Sequence, residues 1–341
     1  MTVLNGWARD RFVSGGMPLR AVVATAALAI LALGAARAED YPTRPLSMVV
    51  PFAAGGPSDV TGRILAQRMG ELLGQQVIID NVGGAGGSIA AQRVAKATPD
   101  GYQFLLGNIG TQVWSQLLPK KPGYDSTVDF EPVGLVTNGP RVLVVSKEMP
   151  VTSLQEFIAY VRTNQAKLNY ASAGAGSASH IGCVLLNSVM GVKVTHIAYR
   201  GAGLAMQDVA GGRVDYMCDA ISTGAPQVQS GAVRGIALLS DARTAVLPDL
   251  PTAQEQGLSD FDVSVWQGIF LPKGTPQPIV QRLAQAIDDT LNTAAVSERI
   301  EGLGNDHIKA ERRGPAFLAR FLRSEIAKWD APIKASGISS E

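Results

Sequence analysis

Leu46-Ser47-Met48-Val49-Val50 runs directly into Pro51-Phe52-Ala53-Ala54-Gly55-Gly56-Pro57-Ser58, and beyond it Ile64, Leu65, Met69, Leu72 and Leu73 recur at helical spacing. A short aliphatic run, a glycine-rich turn and an amphipathic helix make one strand-loop-helix unit, the repeating element of an α/β fold with parallel strands. The order returns three times. Val77 to Ile79 enters Asp80-Asn81-Val82-Gly83-Gly84-Ala85-Gly86-Gly87-Ser88 and a helix through Ala97. Leu168 to Ala171 enters Ser172-Ala173-Gly174-Ala175-Gly176-Ser177 and a helix reaching Met190. Val194 to Ala198 enters Tyr199-Arg200-Gly201-Ala202-Gly203 and another helix.

Outward from these units the chain divides into blocks. Residues 42 to about 144 read as one α/β block ending in the strand Val142 to Val145. A second block opens at Thr152-Ser153-Leu154-Gln155-Glu156, where Ser153 and Glu156 fit a capping box, and continues to about residue 262. Val263 to Leu271 then reads as a strand, with Trp266 a core residue, followed by helices near 277–292, 296–303 and 315–331. We expect this tail to return to the first block. Two lobes joined by two crossings result: 39–144 plus 263–341, and 145–262.

Composition agrees with this length of ordered chain. The 341 residues are 46% apolar and 17% charged, with 37 Gly, 19 Pro and 2 Cys, which excludes disorder, collagen, coiled coil and disulfide miniprotein. A formal charge of +1 without a basic tract gives nucleic acid no electrostatic footprint. Arg9, Arg11 and Arg20 precede the apolar run Ala21 to Leu33, and Ala36-Arg37-Ala38 follows. That is the pattern of a secretory signal peptide over residues 1–38, starting at Met1 or at Met17, and the run is too short to span a bilayer. Its removal takes away four Arg and one Asp, leaving 26 basic and 28 acidic residues. A near-neutral exported protein is expected. An oxidising compartment permits Cys183 and Cys218 to pair, closing a loop worth roughly 4 kcal/mol on the chain-entropy model, or they remain two buried thiols. Two Cys with only His180, His196 and His307 argue against a metal site, and no cofactor is called for.

All four glycine-rich loops lie at the carboxyl ends of strands, where parallel sheets bind ligands. A helix start offers unpaired N–H groups and the positive end of its dipole, and glycine admits a ligand to the backbone. From Pro51 to Ser58 and from Asn81 to Ala91 there is no Lys or Arg, so an anion held here depends on amides, hydroxyls and water. Micromolar affinity, roughly 8 kcal/mol, is within reach of three or four hydrogen bonds to a charged group. The expected ligand is a small carboxylate. On this basis Gly55→Val is expected to weaken binding more than Arg141→Ala.

Other readings of the same residues remain open. Glycine at a strand-to-helix turn also serves tight packing. Gly84-Ala85-Gly86-Gly87-Ser88-Ile89 and Gly174-Ala175-Gly176-Ser177-Ala178-Ser179 each miss a dinucleotide fingerprint, and Gly86-Gly87-Ser88-Ile89-Ala90 misses a nucleophile elbow by its last residue. A secreted serine hydrolase using Ser88 or Ser177, and a carboxylate sensor signalling through a partner, are the alternatives. His180 is a ligand or loop-positioning group, or a structural helix residue. Arg200 touches ligand or solvent. Asp219 faces ligand or caps the next helix, and Phe52 packs on a ligand or plugs the core.

With these loops, Pro99-Asp100-Gly101-Tyr102 and Gly211-Gly212-Arg213-Val214-Asp215-Tyr216 in one order, the chain resembles the solute-binding receptors of tripartite tricarboxylate transporters, the Bug family. The likeness runs over residues 42–335, departing where Val82-Gly83 follows Asn81 in place of the family's frequent Arg-Pro. It implies a periplasmic, non-enzymatic receptor of the Venus flytrap, type II-like periplasmic-binding-protein fold. The ligand lies in a cleft between two lobes, and the receptor works as a monomer delivering a small organic carboxylate to integral-membrane permease subunits. It further implies that Phe52, Ala53, Ala54, Gly55, Gly56, Asn81, Gly84, Ala85 and Gly86 hold the ligand from one lobe. Ser172, Ala173, Ser177, His180, Tyr199, Arg200, Gly201 and Asp219 would line the other.

Overall fold

A computed structural model describes residues 41–118 and 122–338. The signal peptide expected over residues 1–38 lies outside the described residues. Among them, no helix is long and apolar enough to cross a membrane.

The opening unit forms as its sequence dictates. The buried run β1 (Leu46–Val50) leads into α1 (Pro57–Leu73), which has Pro at its first turn, Asp59 near the positive dipole end, and Gly74 at φ 71° as a left-handed C-cap. β2 (Val77–Asn81), α2 (Ser88–Ala95), β3 (Gln103–Asn108) and β4 (Phe130–Gly139) follow. Between β3 and β4 a π-helical turn, Gly110–Trp114, runs into Ser115–Leu117. Next come β5 (Arg141–Val145), α3 (Leu154–Asn164), β6 (Asn169–Ser172), α4 (Ala178–Met190), β7 (Thr195–Ala198), α5 (Ala202–Ala210), β8 (Tyr216–Ala220), α6 (Ile221–Gln229) and β9 (Arg234–Leu238). The chain closes with β10 (Val265–Pro272), α7 (Gln277–Leu291), α8 (Ala294–Glu301) and α9 (Pro315–Ala335). Ser153 caps α3, its hydroxyl accepting the Glu156 amide at 3.2 Å.

These strands build two five-stranded sheets, ordered β2-β1-β3-β10-β4 and β7-β6-β8-β5-β9. The pairs β1/β2, β1/β3, β6/β7 and β6/β8 are parallel, as βα crossovers require. β10 runs antiparallel to β3 and β4, and β5 antiparallel to β8 and β9, so neither sheet is purely parallel. The reason is connectivity: β5 and β10 are entered from the other sheet rather than over a helix. The strand expected to close the first block, Val142 to Val145, accordingly belongs to the second sheet. The first crossing is the single residue Pro140, which has no N–H to extend a ladder. Near the second, the Val263 amide donates to Leu239 at 3.1 Å and the Leu239 amide to Arg141 at 2.7 Å.

The tail packs on the first sheet. Trp266 of β10 is buried and its Nε1 donates to Glu325 of α9 at 3.0 Å, while Trp329 meets Trp114 edge-on at 5.2 Å. On the second sheet, Cys183 of α4 and Cys218 of β8 are joined as a disulfide.

Candidate functional site

At the carboxyl edges of the two sheets the loops touch. The Ala53 amide donates to the Arg200 carbonyl at 3.1 Å, and a Cβ on Gly83 would lie 2.8 Å from that same oxygen. Gly86, at φ +62°, lies so near the Ala175 carbonyl and the Ser177 amide that a side chain there has no room. Ala85 is held left-handed at φ 46°, a conformation disfavoured for a residue with a Cβ. The two halves therefore meet backbone to backbone, which is the use this structure makes of its loop glycines.

Beneath the contact lies a small cavity, with room of about 30 Å³. Four helix starts reach it: Pro57 and Ser58 of α1, Ser177 to Ser179 of α4, Ala202 of α5, and Ala220 ahead of α6. First-turn N–H groups have no partner within the helix, and the dipoles of all four place partial positive charge here. Phe52, Asn108, Ala173, Val265 and Gln267 complete most of the wall, with two buried charges, Arg141 and Asp219.

Arg141 begins β5. Its stem lies against Gly182, where a Cβ would come 2.9 Å from Cδ, which explains a glycine inside α4 despite its poor helix propensity. Nε donates to the Val263 carbonyl at 3.3 Å and Nη1 to the Cys218 carbonyl at 2.9 Å, while Nη2 has no partner. Burial pushes its pKa down to about 10, partly offset by Asp219. Burial likewise pushes Asp219 up to about 6, against the hydrogen bond from Thr223. Its Oδ2 accepts the Thr223 hydroxyl at 2.7 Å and its Oδ1 is unpartnered. Its burial at the cavity runs against the expectation that Arg141 matters less than Gly55, whose order binding measurements on the two variants decide. Sequence reading passed over it, although an arginine heading the otherwise apolar Val142-Leu143-Val144-Val145 was a signal, since buried cations are rare.

Of the residues expected at the site, Phe52, Ala173, Ser177 and Asp219 line this cavity. Gly56 sits at the α1 start, 3.6 Å from the Ala202 amide as measured from a Cβ placed on it. Ala54 and Gly55 face a separate groove outside it, shared with Val60, Leu204 and Met206. The Gly55 amide is already bonded to Asp59 at 3.0 Å, and a Cβ on Gly55 would meet nothing within 4 Å. Burial raises the Asp59 pKa, but bonds from Arg63 and Gly55 outweigh it and hold the carboxyl below its ordinary value. Asn81 supports the first loop by donating from Nδ2 to the Phe52 carbonyl at 3.0 Å. Gly86, Ala53 and Gly201 form the contact between loops, whereas a Cβ on Gly84 would meet Ile89 of its own unit. Arg200 is exposed and contributes its carbonyl there. The Tyr199 hydroxyl is turned to Asp208 at 2.6 Å.

Ser172 and His180 stand behind the wall. The Gly174 amide donates to Ser172 Oγ at 3.0 Å, and that hydroxyl contacts His196 Nε2 at 2.6 Å. His180 Nδ1 accepts the Gly176 amide at 3.1 Å, and its ring stacks on His196 at 4.1 Å. Burial drives both imidazoles down, His180 to about 3 with His196 contributing and His196 to about 4. Both stay neutral near pH 7 and brace the loop from Ser172 to Ser177. Ser177 Oγ serves as the α4 cap, accepting the His180 amide at 3.3 Å, so the pair is no nucleophile and base. Ser88 opens α2 away from the cavity. Among the described residues, no three His, Cys, Asp or Glu side chains cluster as metal ligands.

Comparison with known proteins places this geometry. A family model described as "Tripartite tricarboxylate transporter family receptor" matches residues 61–338. A UPF0065 protein from the TAR-I ttuE-ttuC' intergenic region of Agrobacterium vitis is 39% identical over 303 residues, 89% of this chain and 87% of that protein. The structure of MatC (Rpa3494) from Rhodopseudomonas palustris with bound malate superposes with TM-score 0.84 at 40% identity, covering 86% of this chain and all of the other. The periplasmic binding protein BugD superposes with TM-score 0.85 at 39% identity, covering 88% and 99%.

Proposed function

We propose a task for a chain that belongs to the tripartite tricarboxylate transporter receptor family: it captures a small organic carboxylate in the periplasm and hands it to the membrane subunits of its transporter. The family is one of solute-binding receptors, not enzymes, and its members share a two-lobed α/β fold. In this reading the lobes divide at Pro140 and again ahead of Val265, and the leader over residues 1–38 directs export. The loop contact marks the closed state, and opening between the lobes admits the ligand.

The observation that carries the reading is the convergence of four helix starts on one cavity that is also lined by Arg141, whose Nη2 is unpartnered. A carboxylate there gains a charge-assisted bond from the guanidinium and amide bonds from the helix starts. Relatives support the ligand class, since the 40% identical MatC structure holds malate.

Titration calorimetry with the purified protein tests capture: at least one member of a panel of mono-, di- and tricarboxylates is expected to bind at micromolar affinity or better, and its methyl ester far more weakly. Delivery is tested by uptake of that labelled acid in cells lacking the chain. Normal uptake, with loss of a transcriptional response instead, would replace the transport role with sensing.

A further inference from the structure

We propose that the cavity selects carboxylates bearing a hydrogen-bond donor, a hydroxyl or an ammonium, on the carbon beside a carboxylate, with Asp219 as the group that reads it. This inference rests on the receptor reading above and deepens it.

The register of the second sheet is the starting point. Val142 stands opposite Asp219 and Arg141 opposite Ala220. Residues directly opposite each other share a face, and successive residues alternate, so Arg141 and Asp219 leave the sheet on opposite sides. Their neighbours agree: Arg141 packs on Gly182 of α4, whereas a Cβ on Gly224 of α6 would lie 3.7 Å from the Asp219 Cβ. Both side chains reach the cavity at the end of the sheet, yet no ion pair between them forms among the described residues. Each charge is 1% exposed and each retains one polar atom with no partner.

A third such atom belongs to Gln267 of β10, which also lines the cavity and is 3% exposed. Its Nε2 donates to Thr61 Oγ1 at 3.2 Å, leaving Oε1 unpartnered. Three residues that line the cavity therefore each keep an unused polar atom: one cationic donor and two acceptors. An unsubstituted dicarboxylate brings acceptors alone. It satisfies Arg141 and sets its own oxygens against Asp219. A 2-hydroxy or 2-amino acid places a donor beside the carboxylate that Arg141 takes, and that donor meets Asp219 Oδ1. The site resembles one built to bond a substrate OH or NH, which rejects the analogue lacking it because its own buried group is left unpaired.

Three matched sets of acids test this by calorimetry on the wild-type protein and on Asp219→Asn: propionate, lactate and alanine; succinate, malate and aspartate; glutarate, 2-hydroxyglutarate and glutamate. In whichever set binds, the donor-free acid is expected to bind at least tenfold more weakly than the better of its two substituted partners. In Asp219→Asn that discrimination should shrink to threefold or less. Equal binding of the donor-free acid to the wild type overturns the proposal and leaves the receptor reading standing, and so does unchanged discrimination in a folded Asp219→Asn. Should that variant not fold, the wild-type comparison decides alone. If none of the three sets binds while another acid of the wider panel does, the proposal is overturned and the receptor reading stands; failure of every acid in the sets and the panel overturns the receptor reading itself.

Discussion

Replacing Arg141 by Met keeps most of the stem against Gly182 and deletes the guanidinium. Two effects on stability oppose each other. The bonds to the Cys218 and Val263 carbonyls are lost, together about 3–6 kcal/mol for a charged donor. Burial that pushes the arginine pKa down to about 10 corresponds to about 3 kcal/mol held against the charged form, and this is relieved. The net loss is about 0–3 kcal/mol, which for a domain of this size lowers Tm by less than about 10 °C. Binding has no such compensation. Nη2 is the guanidinium nitrogen without an internal partner, and one charge-assisted bond from it to a carboxylate is worth about 1.5–3 kcal/mol. Calorimetry with whichever acid binds the wild type should show affinity about 10- to 150-fold lower in Arg141→Met. A folded variant within threefold of wild type refutes the assignment. Gly55→Val is the control: at φ +84° it strains the backbone but its side chain enters open space, so it should cost stability and leave affinity within a few-fold. The loops read in isolation order these two substitutions the other way.

Gly86→Ala places a methyl against the Ala175 carbonyl and the Ser177 amide and should hold the lobes apart. Small-angle scattering with saturating ligand is expected to show incomplete compaction, with affinity at least tenfold lower; full closure would count against the contact described. Replacing both cysteines, Cys183→Ser with Cys218→Ser, opens a loop of sequence separation 35 and should cost about 4 kcal/mol, read as a lower denaturant midpoint. Wild-type protein that releases two thiols on denaturation without reductant would contradict the bond. The stacked histidines fix a pH dependence: from 6.5 they fall to about 3 and about 4 on folding, so the folded protein binds fewer protons between pH 4 and 6.5 and loses stability as pH drops through that window. Asp219, raised from 3.8 to about 6, and Asp215, also raised by burial, act in the opposite sense, while the carboxyls held low at Asp59, Glu156, Asp208 and Glu255 act with the histidines, so Tm should fall between pH 7 and 4.5 and fall less in His196→Gln; a flat wild-type profile would refute the buried neutral pair.

Much of this was legible in the residues because local chemistry fixes it. Gly55-Gly56-Pro57 can only turn and start a helix, and Gly174 to Ser177 likewise ends a strand and caps a helix with a hydroxyl, so four strand-loop-helix units were readable without tertiary information. Partnering was not. Whether β5 belongs with the strands before it or after it depends on one residue, Pro140, and its aliphatic run suits either sheet. Arg141 escaped for the same reason: nothing local says that its stem finds Gly182, forty-one positions on, or that its head is sealed from water. The loop glycines were read as room for a ligand or as tight packing, and Gly83, Gly86 and Gly174 lie close against the opposite loop. A Cβ-free position signals close approach without saying to what.

A buried aspartate in a site for anions needs a reason, and the charges supply one. Each helix start contributes roughly +0.5 of an elementary charge, so four of them sum to roughly +2 around the cavity. Arg141 and Asp219 cancel, and that positive field stands uncancelled. A dianion entering it is compensated without Asp219 leaving, whereas deleting Asp219 would add charge attraction for every carboxylate alike. The aspartate therefore lowers affinity for acids in general, and what it returns is a distinction among them, made by the one hydrogen bond that an unsubstituted acid cannot donate. Arg141 and the helix starts set how tightly the site holds acids as a class, and Asp219 sets which acid is held.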